Sequence, residues 1–198
     1  MSDVSASLPR DVPSRPASAS APEGEGRNLK IGMRLFIGSE AMLFASFFAA
    51  YFFLRGSSAT WPPTPEVQRP ELPLVSLNTA ILVTSSVTLQ LALAGRRAWR
   101  RWLAATIALG ATFLALQAYE FSRNAFSISD GVFGSTFYTL TSFHGAHVAA
   151  GLLLLGAILR RAHRGLVTPR SASIEAASYY WHFVDGVWLV LFSTVYVL

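Results

Sequence analysis

Long segments with few charged residues are the feature that most constrains the fold of this chain. The first runs from Ile31 to Leu54, 24 residues in which Arg34 and Glu40 are the only charged side chains. At about 1.5 Å per residue, a helix of this length crosses a hydrocarbon core about 30 Å thick. Only 14% of the residues are charged, against about 25% in an average soluble domain. The pattern therefore predicts a protein embedded in a lipid bilayer rather than a soluble enzyme.

The same reading gives an all-α fold class, a polytopic membrane protein with five transmembrane helices. These helices are predicted at about residues 31–54, 74–94, 102–121, 132–159 and 174–197. Residues 1–28 are rich in Ser, Pro, Ala and Gly and have no apolar core of a signal peptide, which predicts a disordered tail. Repeated X-Pro steps between Arg55 and Pro73 predict an exposed loop. Residues 29–198 are thus expected to form one five-helix transmembrane domain.

The distribution of Lys and Arg predicts how these helices are oriented. Of the 16 Lys and Arg residues, 13 lie in the tail, the start of helix 1, the helix 2–3 turn and the helix 4–5 loop. Arg55, Arg69 and Arg123 lie on the other side. The positive-inside rule then makes the N-terminus cytoplasmic and the C-terminus periplasmic. Because topology explains the net charge of +5, we expect no binding of nucleic acid.

Four ionisable groups are predicted to lie in one layer of the inner half of the bilayer. Counted along the helices, Glu40 is about 14 Å from the inner boundary, His147 about 18 Å, His182 about 12 Å and Asp185 about 16 Å. His144 shares a helix face with His147 at about 22 Å. Such groups either hydrogen-bond one another across helices or serve a function. Glu40 lies on an aromatic face of its helix. If it serves a function, its carboxyl could point into a lipid-filled cleft or at a partner subunit.

A metal centre is a sharper alternative that the sequence does not favour. Three intramembrane His residues and Glu40 could form a His₃-carboxylate set, but there is no Glu-x-x-His pair and no Cys. Three His residues could hold at most one haem. His163, in the basic loop, is expected to be solvated. We therefore predict no metal ligands in this chain.

Polar residues also collect at the outer ends of helices 3 and 4. Glu120 ends helix 3, and Arg123 and Asp130 lie in the loop that follows. An interfacial network that ties this loop to the helix ends explains them without catalysis.

Six motifs of the chain resemble a known family. They are GMRLFIGSEAMLFASFFAAYF (32–52), LNTAILVTSS (77–86), LQAYEF (116–121), ISDGVFGSTFY (128–138), FHGAHVAAG (143–151) and YYWHFVDGVWLVLF (179–192). In this order they are similar to subunit III of haem-copper cytochrome c oxidases, and they cover nearly all five helices. The chain resembles the short, five-helix form of that subunit.

The resemblance implies a subunit of an aa3-type oxidase in the aerobic respiratory chain. Such a subunit has no redox centre of its own, because haem a and copper belong to partner subunits. It contacts mainly subunit I, in a complex with subunit II and a small subunit IV, and it lies in the bacterial cytoplasmic membrane. It stabilises subunit I, binds phospholipid and sustains proton uptake.

The resemblance also assigns roles to individual residues. The carbodiimide-reactive buried carboxyl of the family falls on Glu40. The basic residue that contacts lipid at the inner end of the penultimate helix falls on Arg161, although Arg160 is an alternative register. Lys30 and Phe36 occupy positions that flank a lipid site in the family.

Other functions remain alternatives at this point. Quinol-oxidase versions of the subunit tend to carry a Ser-Asp motif, so Ser39-Glu40 favours the cytochrome c branch. A homologue associated with nitric oxide reductase is a further possibility within the family. A stand-alone proton or ion transporter would also explain intramembrane Glu and His, but it predicts broken helices or repeat symmetry, and the sequence has neither.

Overall fold

The computed structural model describes residues 23–61, 72–95, 97–123 and 127–197, and the regular structure in these ranges is entirely helical. Five α-helices follow one another: α1 Glu23–Gly56, α2 Leu72–Leu93, α3 Trp99–Arg123, α4 Gly131–His163 and α5 Ala172–Leu191. A π-helical segment, Phe192–Val197, continues α5. The predicted all-α class with five helices is confirmed.

The helix ends differ from the predicted ones because helices continue beyond the apolar segments. Residues 23–28, predicted as part of the tail, form the first turns of α1, and α4 continues to His163 rather than 159. Hydropathy marks only the part of a helix that lies in hydrocarbon, whereas Glu, Lys and Arg extend a helix readily into the headgroup region. The rest of the predicted tail, and most of the predicted Pro-rich loop, lie outside the described residues.

Four of the five helices, α1 to α4, are long and apolar enough to cross a membrane. The chain is therefore a multi-pass membrane protein. Helix α5 is not among these four, and it carries the ionisable residues Glu175, His182 and Asp185. It packs against α1, α2 and α4, while α3 packs against α2 and α4. Helix α5 thus has protein neighbours on three sides.

Two tryptophans of α5 fill the centre of the bundle. Trp181 and Trp188 are both fully buried. Their indole N–H groups donate hydrogen bonds to α2, Trp181 to Ser85 Oγ at 3.0 Å and Trp188 to Thr79 Oγ1 at 2.9 Å. A buried indole needs such a partner, so these bonds fix the facing surfaces of α2 and α5.

Two glycines make room for Trp181. A Cβ atom on Gly110 of α3 would lie 2.6 Å from Trp181 Cη2, and one on Gly151 of α4 would lie 2.9 Å from Trp181 Cε3. Small residues at such points let helix backbones approach closely in a membrane. The Trp181 ring is therefore held between α3 and α4.

The described basic segments meet at one end of the bundle, here called the basic end. The α2–α3 turn reverses at Gly95, whose φ of 69° suits glycine, and it lies beside Pro169 of the α4–α5 loop. The first turns of α1 join the same end, where Lys30 pairs with Glu175 of α5. The described Lys and Arg residues of this end are Arg27, Lys30, Arg34, Arg97, Arg100, Arg101, Arg160, Arg161, Arg164 and Arg170.

Candidate functional site

Glu40 of α1 and His147 of α4 form a pair across the helix interface. His147 Nε2 lies 2.9 Å from Glu40 Oε2, and the side chains are 15% and 18% exposed. The other ring nitrogen, Nδ1, lies 2.7 Å from the carbonyl oxygen of Phe143, which can only accept a hydrogen bond. Nδ1 therefore carries a hydrogen. The Nε2–Oε2 contact then needs one further proton, either on the carboxyl or on the imidazole.

Aromatic rings surround this pair, as the neighbouring residues of α1 predict. The rings of Phe44 and His147 pack at a centroid distance of 5.0 Å, and Phe47 packs against Phe143 at 4.8 Å. The Tyr180 hydroxyl of α5 donates to the carbonyl oxygen of His147 at 3.0 Å. The pair thus lies beside aromatic side chains and is still partly exposed.

His182 and Asp185 form a second cluster, with α2. The Ser86 hydroxyl contacts both, at 2.9 Å to His182 Nδ1 and in a short hydrogen bond to Asp185 Oδ2. The amide nitrogen of Gln90 lies 2.6 Å from His182 Nε2. Their common contact with Ser86 places His182 and Asp185 on one face of α5. The predicted layer is thus divided between two interfaces, α1–α4 and α2–α5.

Ser86 and Gln90 are not among the site residues predicted from the sequence. Their spacing offered a signal, because two polar residues four positions apart lie on one face of a helix that has no charged residue. A hydropathy average over the helix does not detect two such residues. Their partners, His182 and Asp185, follow only from the packing of α2 against α5.

His144 occupies a third environment. It is fully buried, and among the described residues neither ring nitrogen has a hydrogen-bond partner. Its ring packs against Trp188 at 5.0 Å and Phe113 at 5.8 Å. Three positions along a helix correspond to a rotation of about 60° between the two side chains. His147 therefore points to α1 while His144 points into the core.

The residues of the predicted outer network bond to different groups. Glu120 is buried and accepts hydrogen bonds from Tyr196 Oη at 3.1 Å and Gln117 Nε2 at 3.2 Å. Arg123 donates to Tyr119 Oη at 3.1 Å. Asp130 accepts from the backbone N–H of Ser127 at 2.6 Å. Glu120 thus ties α3 to the π-helical segment.

The three residues with a predicted lipid role lie towards the basic end. Lys30 Nζ is 2.5 Å from Glu175 Oε2, and the ring of Phe36 stacks on Tyr180 at 6.2 Å. Both therefore face α5. Arg161 is exposed near the end of α4.

Metal ligation was tested across the described ranges. Within residues 23–61, 72–95, 97–123 and 127–197, no group of three or more His, Asp or Glu side chains could hold a metal ion. Three carboxyl groups of these ranges, those of Asp185, Glu40 and Glu120, instead form hydrogen bonds to neighbouring helical segments.

The fold and these clusters define a polytopic α-helical membrane protein in which Glu40, Glu120 and Asp185 are hydrogen-bonded between helical segments. The family model for cytochrome c oxidase subunit III matches residues 20–198. The chain belongs to the cytochrome c oxidase subunit III family, and it is therefore a subunit of a cytochrome c oxidase complex.

Individual relatives agree with this assignment. The chain is 42% identical over 193 residues to cytochrome c oxidase subunit 3 of Bacillus subtilis (strain 168), covering 92% of each protein. It is 38% identical over 192 residues to the subunit of Synechocystis sp., covering 92% of this chain and 81% of the relative. For Struthio camelus the identity is 41% over 181 residues, covering 86% and 69%. The family thus includes bacterial and animal relatives.

Proposed function

We propose that this chain is the non-redox subunit III of an aa3-type oxidase, where it stabilises subunit I, binds phospholipid and sustains proton uptake. The single observation that carries the proton role is the Glu40–His147 pair. His147 Nε2 and Glu40 Oε2 are 2.9 Å apart, and both side chains are still partly exposed. A pair that holds a proton near the protein surface can exchange it with water at a neighbouring subunit.

The surface of α1 supports a role in assembly. Three of its large apolar side chains point away from the other helices: Leu35 is 72% exposed, Met42 73% and Phe53 74%. In a membrane this face meets either lipid or another protein. We propose that subunit I is the main partner of this chain, with subunit II and a small subunit IV in the same complex.

A groove between α1 and α5 supports the lipid role. It has a volume of about 360 Å³ and is lined almost entirely by apolar atoms, among them Ala41, Phe44 and Val190. An acyl chain is the lipid part that such a groove accommodates. The headgroup would lie towards the basic end, where Lys30, Phe36 and Arg161 are the proposed contacts.

The orientation and the electron donor complete this proposal. We propose that the basic end faces the cytoplasm of a bacterial cell, because the positive-inside rule orients short basic loops in this way. Ser39-Glu40 favours cytochrome c over quinol as donor. The donor site belongs to other subunits, so the test needs the purified complex. Its oxidation rates with cytochrome c and with quinol as donor distinguish the two branches.

The proton role is tested by Glu40→Gln in the intact oxidase, with Asp185→Asn as the matched control. The amide of Gln can still bond to His147 but cannot hold the shared proton. We expect the initial rate of oxygen consumption to stay within about twofold, because no electron passes through this chain, and the rate to decay faster during sustained turnover. The control should decay like wild type. Equal decay of both variants, or of neither, would contradict the proposal.

A further inference from the structure

A polar crevice at the basic end leads to His182 of α5. Its volume is about 410 Å³, and it lies between the end of α2, the α4–α5 loop and the first half of α5. Gln90, Arg170, Glu175, Tyr179 and His182 are among the residues that line it. Gln90 is exposed and His182 is half-buried. A crevice of this size with polar walls holds water, which therefore reaches the imidazole of His182.

The hydrogen bonds of His182 fix which ring nitrogen carries a hydrogen. The amide nitrogen of Gln90, which can only donate, lies 2.6 Å from Nε2, so Nε2 accepts. A neutral imidazole then has its hydrogen on Nδ1, which lies 2.9 Å from Ser86 Oγ. Ser86 Oγ accepts this bond and donates its own hydrogen to Asp185 Oδ2. Each donor in this chain of hydrogen bonds thus points from the crevice towards Asp185.

Asp185 is the inner end of this chain. Its side chain is buried, and Oδ1 has no hydrogen-bond partner among the residues that the structure describes. A buried carboxylate with one unpaired oxygen is costly, and a proton on the carboxyl removes its charge. Asp185 is therefore suited to hold a proton that arrives through Ser86.

The other ionisable groups near this chain have contacts elsewhere. Helix α2 contributes none, because its sequence has no ionisable side chain. Among the described residues, those that α1, α4, the α4–α5 loop and α5 itself bring to this region are Lys30, Arg34, Glu40, His144, His147, Arg170, Glu175 and Tyr179. They include the contacts Lys30–Glu175, Arg34–Tyr179 and Glu40–His147. Ser86 is thus the observed link between His182 and Asp185.

We propose that His182 and Ser86 form a relay that carries a proton from water in the crevice to Asp185. A hydronium ion gives its proton to Nε2 of His182. The Nδ1–H bond breaks as a new O–H bond forms on Ser86, and the original hydroxyl hydrogen of Ser86 passes to Asp185 Oδ2. One proton is taken up and no electron moves. Asp185 becomes neutral, His182 has its hydrogen on Nε2, and the reverse steps return the proton to water.

Gln90 fits both states of this relay. After the transfer, Asp185 donates to Ser86, Ser86 donates to Nδ1, and Nε2 has become a donor. An amide has both a donor and an acceptor, so a half-turn of the exposed end of Gln90 presents its oxygen to Nε2. The chain therefore keeps all its hydrogen bonds with and without the added proton.

The relay stores a proton rather than conducting it onward, because it ends at Asp185 within the described ranges. It lies between α2 and α5, whereas the Glu40–His147 pair lies between α1 and α4. Proton uptake during turnover does not depend on it, which is why Asp185→Asn is a suitable control for Glu40→Gln. The relay couples the pH at the basic end to the charge that is buried between α2 and α5.

Infrared difference spectra of the intact oxidase, recorded between acidic and alkaline pH, test the uptake of a proton. Wild type should show the C=O band of a neutral carboxyl, and this band should be missing in Asp185→Asn. In D₂O the band shifts as the proton is exchanged, which gives the exchange rate. Ser86→Ala interrupts the relay and should slow this exchange about a hundredfold, the contribution of a well-placed proton-transfer group. Ser86→Thr keeps the hydroxyl and should exchange like wild type.

Gln90→Glu tests the direction of the chain. A carboxylate can only accept, so it holds the hydrogen on Nε2 and favours the state in which Asp185 is neutral. The proton concentration at which the band is half-developed should fall about tenfold, the equivalent of one hydrogen bond. Leu93→Glu is the matched control, because Leu93 also lines the crevice and its replacement adds the same charge without the bond to His182. It should change the titration less.

Four results would overturn the proposal. A wild-type spectrum without the Asp185 band would mean that Asp185 takes up no proton. Equal exchange rates in Ser86→Ala and wild type would mean that the proton arrives by another route. Equal titrations of Gln90→Glu and Leu93→Glu would mean that charge alone acts. Loss of the band in Glu40→Gln would assign it to the α1–α4 pair, whereas an unchanged band keeps the relay independent of the proposed function.

Discussion

Gly110→Ala tests how tightly the bundle is packed around Trp181. The added methyl group would lie 2.6 Å from Trp181 Cη2 and 2.9 Å from Leu152 Cδ2. The indole cannot move away easily, because Gly151 of α4 lies on its other side and its N–H is bonded to Ser85. Overpacking costs about 1–3 kcal/mol, and a ring held on two sides places this case near 3. Replacing glycine in a helix returns about 1 kcal/mol, so we expect a net loss of about 2 kcal/mol.

The assay is thermal release of the chain from the detergent-solubilised oxidase, measured as the fraction of subunit retained on native gels. Gly156→Ala in α4 is the matched control, because a Cβ atom there meets nothing within 4 Å. It should be as stable as wild type or more so. Trp181→Phe removes the ring edge that Gly110 contacts, so combining it with Gly110→Ala should cost less than the sum of the two changes. Equal midpoints for Gly110→Ala and Gly156→Ala would refute the packing argument.

Two further predictions contrast a buried cluster with an exposed ion pair. Ser86→Ala should destabilise the chain by about 1–3 kcal/mol, because it leaves Asp185 and His182 short of a partner. The same thermal assay measures this, and a midpoint equal to that of wild type would contradict the hydrogen-bonded cluster. Lys30→Gln should change stability by less than about 1 kcal/mol, because the Lys30–Glu175 pair is partly exposed to solvent. A midpoint shift as large as that of Ser86→Ala would show that this reasoning fails.

The fold was predictable because the bilayer sets the length of a spanning segment. All five helices were found at their places in the sequence, and the all-α class followed from segment length and charge alone. The helix ends were not predictable to the residue. Arg and Glu beyond the hydrocarbon lower the hydropathy without ending the helix, which is why α1 begins at Glu23 rather than Ile31.

The arrangement of the candidate sites could not be predicted from the sequence. Counting residues along a helix gives the depth of Glu40, His147, His182 and Asp185, but it does not tell which helices are neighbours. Because α5 lies against both α1 and α2, its polar face could have met either helix. The structure pairs it with Ser86 of α2. The partner of Glu40 is instead His147, on α4.

The position of α5 has a consequence for biogenesis. This helix leaves the ribosome after the other four, yet it supplies both central indoles and the surface against which α1, α2 and α4 pack. Until α5 inserts, the spaces beside Gly110 and Gly151 that Trp181 occupies are empty. The hydroxyl groups of Ser85 and Thr79 then lack their indole donors. We therefore expect a nascent chain halted before Ala172 to remain an open set of helices that insertion factors and quality-control proteases can still reach.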